Sequence, residues 1–275
     1  MKYDIPDRSA EALQALKKTL GKGLEHEAVW LLESATKRGY SGNYIMNPDE
    51  RLLLMQYLGR RLRGEPLQLI LGNYPFRRLN LMMRQGVFIP RLETELMIDL
   101  LPKPNTLPSG MLVDACTGTG AIGISVKKEM PEFEVMLTDI SSDALNLAHG
   151  NALLNKVTVS FYKMDLLEGF RQGCIGSILC NPPYIRAGEY KALSGEVRDY
   201  DPASALIAGE DGLDAIRRLV RQAKQVLERN GFICFEHGYD QQDDCLSLLE
   251  GQGFRDIKRY EDLSRNPRFV SARRA

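Results

Sequence analysis

The chain has little of what metal and disulfide chemistry needs. Its three histidines, His26, His149 and His237, include no pair at metal-ligand spacing, so no zinc site is expected. Five cysteines, Cys116, Cys174, Cys180, Cys234 and Cys245, are scattered without paired spacing. An odd, unclustered set reads as the reduced thiols of a cytoplasmic protein. Charge of one sign is also missing: 36 Lys and Arg balance 36 Asp and Glu. Such a chain lacks the basic excess that grips nucleic acid through its phosphates. No apolar run approaches the ~20 residues that cross a bilayer, so no membrane partner is expected. Residues 1–10 are polar and charged, unlike a signal peptide. The length, 275 residues, suits one large domain with a smaller companion.

The first 72 residues read as a small helical bundle. Ser9 is a candidate cap for a helix over AEALQALKKTL that ends at Gly21. A second helix, 27–37, carries Val29, Trp30, Leu31 and Leu32 and stops near Gly39 and Tyr40; Trp30 is expected in the core. A third follows Asn47-Pro48, with proline at the helix start. GRRLRG, 59–64, reads as a solvated helix end. Residues 73–90, punctuated by Pro75, Gly86 and Pro90, read as a hairpin or extended linker. From Arg91 the stretch RLETELMIDLL opens a second domain, 91–275, as a helix.

Strand and helix then alternate. Strands are expected at 111–115, 134–138, 157–162, 175–180, 232–236, 254–260 and 268–272. Helices are expected from Ala121, from a Ser141 or Ser142 cap through Leu154, and over 212–228. This alternation predicts an α/β domain with a doubly wound, mostly parallel, seven-stranded Rossmann-like sheet. The last two strands can form an antiparallel edge pair.

Two motifs stand at strand ends. In VDACTGTGAIG, Gly118, Gly120 and Gly123 satisfy G-x-G-x-x-G, with Asp139 about 20 residues beyond at the next strand end. Alone, this fits a nicotinamide enzyme, a nucleoside-binding methyltransferase, or a tight turn with no ligand. Asp114, before the glycines, would repel a pyrophosphate but suits the cationic amino acid end of S-adenosylmethionine. With Asp139 and Asp165 it predicts an acid-lined crevice for a cationic, ribose-bearing ligand.

The second motif, SILCNPPYI, ends an apolar run in Asn181, Pro182, Pro183 and Tyr184. Two prolines remove two backbone donors and stiffen the turn. The fourth strand of such a sheet lies beside the first, where strand order reverses and ligands bind. Asn181 is therefore expected beside the glycine turn. Its side-chain oxygen and the Pro182 carbonyl would accept both hydrogens of a planar NH2 group, with Tyr184 as an apolar wall.

DACTGTGAIG, NPPYI, EVRDYDPASALIAGEDGLDAIRRL and EHG together resemble the HemK/PrmC protein-glutamine methyltransferases. GEPLQLILG and FIPRLETE extend the likeness over most of the chain. The resemblance implies S-adenosylmethionine as donor. It implies, as acceptor, the glutamine of the Gly-Gly-Gln motif in class I peptide-chain release factors. Carried over by position, Cys116, Thr117, Gly118, Thr119 and Gly120 form the cofactor loop. Asp139 meets the ribose, Leu166 lies near the adenine, and residues 181–184 grip the substrate. The helical domain, 1–72, helps dock the release factor to what is expected to be a monomer in the cytoplasm. Leu92 stands where the family motif has proline, and Cys116 where its loop has a first glycine. Leu166 occupies a position that can be aromatic in relatives. A cysteine at the Cys116 position also occurs in sister enzymes that methylate a ribosomal-protein glutamine, whereas EVRDYDP points to the release-factor branch.

The rival readings are that ribosomal-protein enzyme and a methyltransferase acting on an exocyclic amine of adenine or guanine. Neutral charge and the lack of a basic, aromatic-rich extension oppose the latter. A dehydrogenase leaves residues 181–184 without a role. A non-catalytic module that keeps the fold is the remaining alternative. His237 is expected to pack or hydrogen-bond locally at a strand end.

Overall fold

Strands buried on both faces are mainly apolar, and Ile175–Cys180, buried at every position with Ser177 its one hydroxyl, sets the pattern for this chain. The computed structural model describes residues 5–39 and 43–275; residues 1–4 and Tyr40, where the second helix was expected to stop, lie outside them. The chain divides into two units, Met1–Gly72 and Asn73–Ala275.

The smaller unit holds α1 (Ser9–Leu20), α2 (Glu27–Thr36), α3 (Pro48–Arg61) and α4 (Leu67–Leu71). Leu13, Leu16, Leu31, Leu32, Leu54 and Leu58 share its core. Asn47 and Glu50 form a reciprocal capping box that starts α3. Three expectations change here. Ser9 is the first residue of α1 and Arg8 holds the N-cap position; the Ser9 hydroxyl accepts from the Tyr44 N–H at 3.1 Å. Trp30 is 47% exposed because α2 turns Leu31 and Leu32 inward instead. GRRLRG is a solvated end only in part: Leu62 and Arg63 are exposed, while Arg60 pairs with Glu65 at 2.6 Å. Arg61 is buried in an ion pair with Glu27.

The larger unit opens with a hairpin, β1 (Asn73–Phe76) and β2 (Leu79–Met82). Residues 73–82 are thus part of this unit and no free linker. The Asn151 Oδ1 of a later helix accepts from the Met82 N–H at 2.6 Å, fastening the hairpin down. The helix expected from Arg91 is a 3-10 turn, Leu92–Glu95, followed by the single turn α5 (Leu96–Asp99). Pro102 prevents its continuation.

Next come β3 (Met111–Ala115), α6 (Ala121–Glu129), β4 (Glu134–Asp139), α7 (Ser142–Leu154), β5 (Ser160–Lys163) and β6 (Ile175–Cys180). Ser141 caps α7, its hydroxyl accepting from the Ala144 N–H. The chain continues through α8 (Gly195–Arg198), α9 (Asp214–Val226), β7 (Leu227–Glu236), α10 (Gln242–Gly251), β8 (Phe254–Glu261) and β9 (Pro267–Arg274). The seven-stranded sheet runs β5-β4-β3-β6-β7-β9-β8. β5 through β7 are parallel, while β9 inserts antiparallel between β7 and β8. Strand order therefore reverses between β3 and β6, where the loops leaving the two strands diverge.

Candidate active site

Register brings the two motifs together. Ala115 of β3 lies opposite Cys180 of β6, so Cys116 and Asn181 leave the sheet side by side. Both line one cavity of about 580 Å³, a volume typical of small-molecule sites. The turn after β3 supplies Cys116, Thr117, Gly118 and Thr119 to its wall. The end of β4 supplies Asp139, Ile140 and Ser141, and the turn after β5 supplies Asp165 and Leu166. Residues 181–184 form the side next to the glycine turn.

The glycine turn is held from below. Gly120 sits at φ 82°, and a Cβ there would stand 2.6 Å from Ile124 Cδ1. A Cβ on Gly123 would stand 2.8 Å from Leu137 and 3.0 Å from Asp114, so α6 packs on the sheet only through a glycine. Gly118 instead faces open space, with nothing near its missing Cβ. Its N–H donates to Asp139 Oδ2 at 2.9 Å, and the Ser141 N–H donates to Oδ1 at 2.9 Å. Two backbone donors thus aim a carboxylate along the cavity wall. Burial still pushes the Asp139 carboxyl above its ordinary range, partly offset by those donors.

The acid-lined crevice is not what the structure builds. Asp114 is fully buried and does not line the cavity. Its Oδ2 accepts from Thr117 Oγ1 at 2.5 Å and from the Gly123 N–H at 2.8 Å, so it braces the turn from inside. Burial pushes its carboxyl up to about 7. Asp165 does line the cavity but is paired with Arg218 of α9. Of the three acids, Asp139 alone lines the cavity without an ion-pair partner among the described residues.

Asn181 and Tyr184 are tied to two further groups, Thr94 and Glu236. Asn181 Nδ2 donates to Thr94 Oγ1 at 3.3 Å, and Thr94 Oγ1 donates to Glu236 Oε2 at 2.7 Å. Tyr184 donates from its hydroxyl to Glu236 Oε1 at 3.0 Å. Burial and the neighbouring Glu236 push the Tyr184 phenol well above its ordinary value, so it stays protonated. The only signal for Thr94 and Glu236 was their place in RLETE and EHG. His237, next to Glu236, is buried and donates from Nδ1 to the Gly238 carbonyl at 2.7 Å, a local role.

The far wall is the segment between β6 and α9. Ile185 exchanges backbone bonds with Leu206 and Ala208 at 2.8 and 2.9 Å, closing a long loop that brings Leu193, Val197 and Pro202 to the cavity. Buried Asp201 anchors this loop, accepting from the Ile89 N–H at 3.0 Å and from Arg91 at 2.5 Å. Arg91 in turn lies over the Phe88 ring, 5.0 Å from its centroid.

Comparison with known proteins agrees with this architecture. Residues 78–196 match the family described as Methyltransferase small domain. A solved methyltransferase from Pyrococcus furiosus superposes with a TM-score of 0.55 at 12% identity, covering 72% of this chain and 89% of that one. That likeness concerns the fold alone. The Release factor glutamine methyltransferase of Coxiella burnetii is 33% identical over 266 residues, spanning 93% of this chain and 94% of its own. The protein of that name from Streptomyces coelicolor is 37% identical over 227 residues, 80% of each chain. Likeness that runs from the helical unit through the whole sheet leaves one assignment: the chain belongs to the release factor glutamine methyltransferase family.

Proposed function

We propose that the protein transfers a methyl group from S-adenosylmethionine to the side-chain amide nitrogen, N5, of the Gly-Gly-Gln glutamine in class I peptide-chain release factors. The observation that carries this reading is the juxtaposition of a rigid Asn-Pro-Pro-Tyr corner with a glycine turn across one cavity. The lining suits the donor. Asp139 keeps lone pairs for ribose hydroxyls beyond those its two backbone donors use. Ile140 and Leu166 offer apolar surface to a base, and Gly118 leaves room for close approach. When bound, S-adenosylmethionine supplies a methyl group on a positively charged sulfur.

The chain's own contribution is alignment. A carboxamide nitrogen is a weak nucleophile because its lone pair is delocalised into the carbonyl. Asn181 Oδ1 and the Pro182 carbonyl accept its two hydrogens, favouring a pyramidal nitrogen and stabilising the positive charge that grows there. Holding the nitrogen in line at about 3–3.5 Å supplies several kcal/mol of the barrier. No strong base is invoked: among the described residues the cavity wall carries no His or Lys, and Tyr184 holds its proton. The methylated cation sheds its own proton to solvent after transfer. The helical unit serves to dock the release factor, and the enzyme works as a monomer in the cytoplasm. In support, all five cysteines are free thiols. Among the described residues, no helix is long and apolar enough to cross a membrane.

The test is an acceptor panel with methyl-labelled donor: release factor, its Gln-to-Ala variant, ribosomal proteins and RNA. Label is expected on the release factor alone and is expected to vanish with the variant. Label on RNA or on a ribosomal protein instead contradicts the proposal.

A further inference from the structure

RLETE and EHG, far apart in sequence, converge behind Asn181. Thr94 sits in the 3-10 turn Leu92–Glu95, and Glu236 closes β7, the neighbour of β6. Glu236 is 1% exposed, and Thr94 is buried. Two hydroxyls point at one carboxylate: Thr94 donates to Oε2 and Tyr184 to Oε1. A buried carboxylate needs such donors to remain charged. Burial pushes the Glu236 carboxyl above its ordinary range; the two hydroxyls, and Arg268 of β9, the strand paired with β7, oppose that rise.

The consequence for Asn181 follows from counting protons. A threonine hydroxyl has one hydrogen. With that hydrogen committed to Glu236, Thr94 turns only lone pairs toward Asn181. A carboxamide can meet a lone pair only with its NH2, which fits the 3.3 Å contact from Asn181 Nδ2. The opposite end of the amide, Oδ1, is thereby turned away from Thr94. A flipped amide would set oxygen against oxygen at Thr94 and present hydrogens where the substrate's own NH2 has to bind.

We propose that Thr94 and Glu236 are positioning residues that fix which end of the Asn181 carboxamide meets the substrate. Glu236 orients the Thr94 hydroxyl, Thr94 holds the Asn181 NH2, and Oδ1 is left as the acceptor for the glutamine amide. The inference rests on reading the site as a glutamine methyltransferase. It gives two otherwise unassigned motifs one shared task. It also accounts for a buried carboxylate that lies behind the site without lining the cavity: its work is to choose a donor direction two hydrogen bonds away.

The experiment is a set of full-length variants assayed for kcat and KM on release factor and for donor affinity by calorimetry. Thr94→Val keeps the shape of the side chain and removes the hydroxyl. It is expected to lower kcat about 10- to 100-fold while donor affinity changes less than about 2-fold. Thr94→Ser is expected to restore most of the rate. In an Asn181→Ala background, Thr94→Val is expected to add almost no further loss, because the group it orients is gone. Glu236→Gln provides an independent arm should Thr94→Val fail to fold. One oxygen and one NH2 cannot accept from both hydroxyls, so kcat is expected to fall, again only while Asn181 is present. Full rate in Thr94→Val, or losses that add to that of Asn181→Ala, overturns the inference while the functional reading stands. Failure of the unaltered protein to methylate the glutamine overturns that reading, and the inference with it.

Discussion

Asp114 is the residue whose environment departs furthest from what its sequence context suggests. It sits fully buried, with Oδ1 lacking any hydrogen-bond partner among the described residues. Its folded carboxyl is raised from an ordinary 3.8 to about 7. A raised carboxyl favours the folded state below the unfolded value, and that favour is lost as pH climbs through the folded one. Asp114→Asn keeps an oxygen for Thr117 and Gly123 but cannot ionise. Its stability relative to the wild type is therefore expected to rise between about pH 4 and pH 7, by on the order of a few kcal/mol, and to level off above. Denaturant titrations across that range check this, and a difference that stays flat or shrinks contradicts it. Nothing in VDACTGTG marked this outcome. The motif shows that an acid closes β3, but whether a strand-end acid faces ligand or core depends on the helix packed above it, here α6 through Gly123. Asp139 closes β4 in the same way but lines the cavity, its carboxylate held by the Gly118 and Ser141 N–H groups.

At the scale of elements, legibility tracked periodicity. β3, β6 and α7 fall where apolar runs bounded by glycine, proline and a serine cap put them, because buried parallel strands and capped helices carry local signals. The loop between Tyr184 and α9 carried none. It is built of short turns and backbone bonds to Leu206 and Gly209, with no repeat to read. Its anchor, Asp201, lies 110 residues from Arg91, so the pair was invisible in sequence. Asp201→Ala leaves the Ile89 N–H and the Arg91 guanidinium without their acceptor. A loss of about 1–3 kcal/mol of stability is expected, together with a raised KM for the release factor as the wall bearing Leu193 and Val197 loosens. Thermal melts and steady-state kinetics report the two effects. Unchanged KM with lowered stability would show that the loop shapes the fold and not the acceptor site.

As a whole molecule, the chain is built of two units. The larger one holds the cavity; the smaller presents the single tryptophan of the sequence, Trp30, 47% exposed beside His26. Exposed tryptophan is a frequent anchor of protein interfaces. If the helical unit docks the release factor, Trp30→Glu is expected to raise KM for the intact factor about 10-fold. Turnover of a short Gly-Gly-Gln peptide is expected to hold steady, and equal effects on both substrates would argue against docking there. The central claim remains the corner at residues 181–184. A crystal structure with S-adenosylhomocysteine and a Gly-Gly-Gln peptide tests it most directly. In that complex the glutamine side-chain nitrogen is expected about 2.9 Å from Asn181 Oδ1, between the corner and the donor sulfur. A carboxamide bound elsewhere, or Asn181 presenting Nδ2 to it, would contradict the account.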